Sequence, residues 1–109
     1  MHARISASDR LVRLDHNSAP YKDLMEALEK LESATAGIND HPDPPVQERQ
    51  VAELSAGRRL LEAAVVRAQA VLGTLKVPLK WVAKRFAEKE IGHLADQAWT
   101  WLLQILHHG

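Results

Sequence analysis

A chain of 109 residues, 46% hydrophobic and 26% charged, is most simply one folded domain with a single core rather than a disordered chain. With no cysteine, disulfides, thiolate metal sites and a Cys nucleophile are excluded. The formal net charge of zero speaks against nucleic-acid binding.

The charge is unevenly placed. Residues 1–57 carry six basic and ten acidic side chains, whereas residues 58–109 carry eight basic and four acidic ones. Such a dipolar layout suits halves that attract each other, within one chain or between chains. Aromatic residues are few and three of the five are Trp. The core must therefore come from Leu, Val, Ile and Ala, the composition of a helical bundle. The opening MHARISASDR has no apolar run after its positive end and does not read as a secretory signal. No apolar run approaches the roughly 20 residues of a membrane span. Both readings point to the cytoplasm.

Taken in chain order, residues 1–16 read as an extended arm, with Arg10–Leu14 (RLVRL) as a short strand or a segment laid across helices. Asp15–Ser18 is a cluster of turn and cap formers. A first helix is predicted over 18–36. Asn17 or Ser18 caps it, Pro20 fits its first turn, and Tyr21, Leu24, Met25, Leu28 and Leu31 form one apolar face. Gly37 suits its end. Residues 38–45 (INDHPDPP) make a stiff connection that returns the chain antiparallel.

A second helix is predicted over 45–73, because Val51, Leu54, Leu61, Val65, Ala68, Leu72 and Leu75 lie on a heptad-like track that Arg58 interrupts. Arg58 should reach the rim or pair with a first-helix carboxylate such as Glu29 or Glu32. An interhelical anion site is the sharper alternative. Gly57 points to close helix approach, and Gly73 with Pro78 to a stop or a kink.

A third helix is predicted over 77–90, with Leu79, Val82, Ala83 and Phe86 on its apolar face and Lys76, Lys80 and Lys84 one turn apart opposite. Ile91-Gly92 permits a bend before a fourth helix over 91–107. One continuous helix over 79–106 is the alternative. In the fourth helix Ile91, Leu94, Ala95, Ala98, Trp99, Trp101, Leu102, Leu103, Ile105 and Leu106 cover more than half the circumference. An ordinary surface helix has a narrower stripe, so this one needs more than one wall of cover. Trp99 and Trp101 lie about 200° apart and cannot pack against the same surface.

Catalytic patterns are missing. Asp15, His16 and Ser18 have the residue types of a nucleophilic triad, but neighbours in sequence do not converge in space as a triad must. The five glycines are isolated, so there is no phosphate-cradling loop, and the six histidines show no metal-ligand spacing. Carboxylates such as Glu26, Glu29, Glu32, Glu48 and Glu53 fall on solvated faces rather than on an apolar stripe that would perturb them. No enzyme, metal or cofactor is expected. A helix-turn-helix reader would need base-reading side chains where the fourth helix has Trp and Leu.

The strings RLVRLDHNS, ELSAGRRLLEA and LKWVAKRFAEKEIGHLA, within residues 10–98, resemble segments of small bacterial helical proteins with no assigned activity. The resemblance implies a bacterial source and a recurring module, and it carries over no functional residue.

The sequence therefore reads as an all-α, three- to four-helix bundle with an N-terminal extended arm. Its expected role is non-enzymatic: binding another protein or its own copy. The expected contact residues are Trp81, Phe86, Trp99, Trp101, Leu102, Ile105 and Leu106. The alternative is a membrane-surface or membrane-perturbing protein using 76–106 as an amphipathic segment, with Lys76, Lys80, Lys84 and Arg85 facing an anionic surface.

Overall fold

The computed structural model describes residues 10–39 and 41–107. Along the chain these form β1 (Leu11–Arg13), α1 (Ala19–Ala36), α2 (Pro44–Leu60), β2 (Val65–Arg67), α3 (Ala68–Arg85) and α4 (Glu90–His107). The all-α bundle with an N-terminal arm is the observed class. Residues 1–9 of the predicted arm lie outside the described residues.

Local chemistry explains the first hairpin. Ser18 Oγ accepts from the Tyr21 N–H at 3.3 Å, and Pro20 sits in the first turn of α1, where its missing donor has no partner to lose. Gly37 ends α1 in right-handed geometry, so it acts there without left-handed backbone. Asp43 caps α2 by accepting from the Val46 N–H, and Gln47 Nε2 donates to Thr35 O and Ile38 O across the turn. At the other end Tyr21 Oη donates to Leu61 O at 2.9 Å. The two helices therefore run antiparallel.

The sequence-predicted helix over 45–73 is two helices and a strand. α2 stops at Leu60, and the chain turns and extends through Val65–Arg67 before α3 begins. Tertiary bonds hold it out of the helix: Tyr21 Oη takes Leu61 O, His16 Nε2 bonds Ala63 O, and Leu14 N–H takes Ala64 O. Two β-branched residues, Val65 and Val66, then pair antiparallel with β1, Val12 opposite Val66. The apolar spacing of the track did not distinguish buried helix from buried strand.

The break predicted between 73 and 78 is absent. α3 runs through Pro78, which is buried on the same face as Val71, Leu75, Leu79 and Val82. An interior Pro costs about 3 kcal/mol or more, and burial of that apolar face offsets it. The turn falls later, at Phe86–Lys89, so α3 and α4 are separate helices rather than one helix over 79–106.

The four helices close a ring: α1 packs on α2 and α4, and α3 packs on α2 and α4. Successive helices alternate in direction. Leu24, Leu28, Leu31, Leu54, Leu75, Leu79, Leu102 and Leu106 fill the middle. The β1–β2 ribbon caps one end, driving Val12 and Val66 into the core, and the 37–43 connection and the Phe86–Lys89 turn lie at the other end.

Candidate functional site

The wide apolar arc of α4 is satisfied inside the chain. Ala95, Ala98, Leu102, Ile105 and Leu106 point into the core. Trp99 flanks α3, lining a shallow groove with Leu79, Lys80, Ala95 and Asp96. Trp101 is on the opposite flank, one turn from Gln97 and Ile105 and two turns from Leu94, which line the grooves facing Lys30 and Pro20 of α1. Each Trp is half-buried against the core, one on each flank of α4. Their 200° separation reflects a helix with neighbours on two sides. Leu102, Ile105 and Leu106 are therefore core residues and leave the set of partner-facing side chains. Leu103, 44% exposed, is the one large aliphatic of α4 presented to solvent.

The remaining predicted residues converge on α3. Lys76, Lys80 and Lys84 are exposed, successive turns apart, opposite the buried Leu75–Leu79–Val82 face. Val77, 51% exposed, lies among them. Residues 63–87 contain no carboxylate but hold Arg67, Lys76, Lys80, Lys84 and Arg85, so nothing on this helix neutralises the row. At its C-terminal end the Arg85 guanidinium lies over two rings, 5.8 Å from the centroid of Trp81 and 5.7 Å from that of Phe86. The His41 ring approaches Trp81 from the 37–43 connection at 5.5 Å. Trp81 and Phe86 are half-buried, each with its base packed on the core. The sequence pattern had placed these six residues on one helix. The His41 contact was not visible, because it depends on how the proline-rich connection folds back.

The polar centres are structural. Arg58 Nε donates to Glu32 Oε2, bonding α2 to α1, and Glu62 lies within 4.0 Å of Arg58. The Glu32 hydrogen bond raises the Arg58 pKa and keeps the guanidinium charged. The pairing reading holds. Burial raises the pKa of Tyr21, with the charge of Glu62 adding to it. Its ring stacks on His16 at 4.5 Å. Neither group lines any of the grooves described. Among the described residues no cluster of three or more His, Asp or Glu could hold a metal ion, and no helix is long and apolar enough to cross a membrane.

Thr35 Oγ1, Gln50 Oε1 and Glu53 Oε1 are buried without a hydrogen-bond partner, and none of them lines a described groove. No protein-family model, curated protein or solved structure matches the chain.

Proposed function

We propose that this domain is a non-enzymatic interaction module that meets a partner protein through the outer face of α3. Trp81, Phe86 and Arg85 form the anchor, and Lys76, Lys80 and Lys84 form a charged rim. The observation that carries the reading is a row of cations, with no carboxylate on its own helix, ending on an aromatic–guanidinium cluster. Trp and Arg dominate binding energy where they are partly preformed in a surface, and surrounding charge selects the partner. A twofold contact between two α3 faces would oppose like charges, so a partner with an acidic surface is favoured over a second copy.

The test is capture of a partner under native conditions, followed by titration of that purified partner. Trp81→Ala and the triple exchange Lys76→Glu, Lys80→Glu, Lys84→Glu should each weaken binding at least tenfold. Trp101→Ser is the control on the α1–α4 seam. Loss confined to that control would overturn the assignment.

A second reading, contact with an anionic membrane surface, rests on the same lysines. The apolar side chains that would insert, among them Leu79, Val82, Leu102 and Leu106, form the bundle core. Only the electrostatic part remains for the closed bundle, and it would vanish as salt screens the lysines. Co-sedimentation with anionic liposomes at low salt tests it.

A further inference from the structure

We propose that the free edge of β1 receives an extended acidic segment of another protein as a third strand. This surface lies on the ribbon and stands separately from the α3 face.

The argument begins with the ladder. Leu14 N–H bonds Ala64 O, and Ala68 N–H bonds Arg10 O, flanking the register Leu11–Arg67, Val12–Val66, Arg13–Val65. In an antiparallel pair the bonded residues alternate. Arg10, Val12 and Leu14 thus bond to β2, and the N–H and C=O groups of Leu11 and Arg13 point away from it. No hydrogen bond from those groups is found among the described residues. Four backbone groups at strand spacing are the template that β-augmentation uses.

β2 has an outer edge of its own, and two observations favour β1. The first is the relief beside it. α4 ends against both ends of β1, so that Gln104 lines one groove with Arg10, Leu72 and Leu103, and a second with Arg13, Pro20 and Ile105. Alternate side chains of an added strand would fall on the inner side of the sheet, towards these grooves. Neither groove is lined by a β2 residue.

The second is charge. Arg10 and Arg13 flank the edge and Arg67 stands opposite Leu11, whereas Asp15 is the sole carboxylate among the described residues lining the two grooves. The outward face also carries Leu11, 64% exposed, and Val65, 41% exposed. An added strand with carboxylates on the outward face, beside Arg13 and towards Arg67, and aliphatics on the inward face, towards the grooves, suits this edge. Pairing of two β1 edges from separate copies would instead gather six or more arginines in one small sheet.

The experiment uses the full chain and a fluorescent eight-residue peptide alternating Val and Glu, followed by anisotropy at neutral pH. Comparators are a Val/Lys peptide and a Val/Glu peptide N-methylated at alternate amides. The expected result is saturable binding of the Val/Glu peptide, weakened at least tenfold by N-methylation and absent for Val/Lys. Amide NMR signals of Leu11 and Arg13 should shift on binding, while those of Val65 and Arg67 stay in place.

Leu11→Pro removes an outward N–H and leaves the ladder to β2 intact, so it should abolish binding in a folded protein. Should Leu11→Pro fail to fold, Arg13→Glu, which leaves the backbone alone, should still cost at least tenfold. The proposal is overturned by equal binding of Val/Lys, by indifference to N-methylation, by shifts confined to β2, by no binding up to millimolar peptide, or by dimerisation through β1 in sedimentation.

Discussion

A Cβ built on Gly57 would sit 2.2 Å from Leu75 Cδ2 and 2.3 Å from its Cγ. α2 and α3 therefore meet through a glycine and a fully buried leucine with no room for a methyl group between them. Gly57→Ala must push Leu75 out of place or part the helices, and overpacking of this kind costs about 1–3 kcal/mol. Gly73 has nothing within 4 Å of the same virtual atom. Gly73→Ala should stabilise by about 0.5–1 kcal/mol, because only the helix-propensity term changes. Urea unfolding of the two variants should therefore move the midpoint in opposite directions.

Gly92 obeys a harder constraint than Gly57. Its virtual Cβ lies 2.0 Å from the Phe86 carbonyl oxygen, a backbone atom that cannot swing aside. Gly92→Ala should be more damaging than Gly57→Ala, and it should disturb the Phe86–Lys89 turn. Near-ultraviolet circular dichroism, reporting on the tryptophans beside that turn and along α4, should change for Gly92→Ala.

Thr35 is fully buried and its hydroxyl has no partner. Thr35→Val keeps the shape and removes the unpaired group, so thermal unfolding should rise by the equivalent of about 1 kcal/mol. A fall instead would show that the hydroxyl is satisfied in solution.

Glu32 and Arg58 should be strongly coupled. Both side chains are largely shielded from water, at 17% and 24% exposure. A double-mutant cycle with Glu32→Gln and Arg58→Met should give an interaction energy of about 1–2 kcal/mol, above the usual value for exposed pairs. The exposed Glu26–Lys30 pair should give no more than about 0.5 kcal/mol.

Tyr21 predicts an alkaline limit. Burial and Glu62 raise its pKa above the ordinary 10.0, so folding favours the neutral phenol. Its contribution is complete below pH 10 and is lost as pH climbs through the raised value. Tyr21→Phe forgoes the bond to Leu61 O, at a cost of about 1 kcal/mol near neutrality. The stability gap between wild type and Tyr21→Phe should therefore narrow above pH 10 in denaturant titrations.

The first and last helices were legible from local signals. Ser18, Pro20 and the Tyr21–Leu24–Leu28–Leu31 spacing bounded α1 to within a residue, and α4 emerged from its apolar arc. The middle was not, for two physical reasons. Val65 and Ala68 continued a heptad track, and only the pairing of Val65–Arg67 with residues far away in sequence makes that segment a strand. Pro78 is ordinarily a stop, and only the packing of α3 overrides it. The lysine row was readable as the side of α3 opposite its apolar face, with Trp81 on the same helix. The opposed tryptophans left the source of cover open, because periodicity shows how much of a helix is apolar and not whose chain supplies the cover.

The ribbon has a consequence for assembly. β1 precedes every other described element, yet its partner strand lies more than fifty residues further along the chain. The α1–α2 hairpin can form while β1 is still unpaired, and the lid closes only after residue 68 supplies its bond to Arg10. The early strand thus waits while α1 and α2 are made and finds its partner before α3 and α4 follow, in the ribosome's own order of delivery.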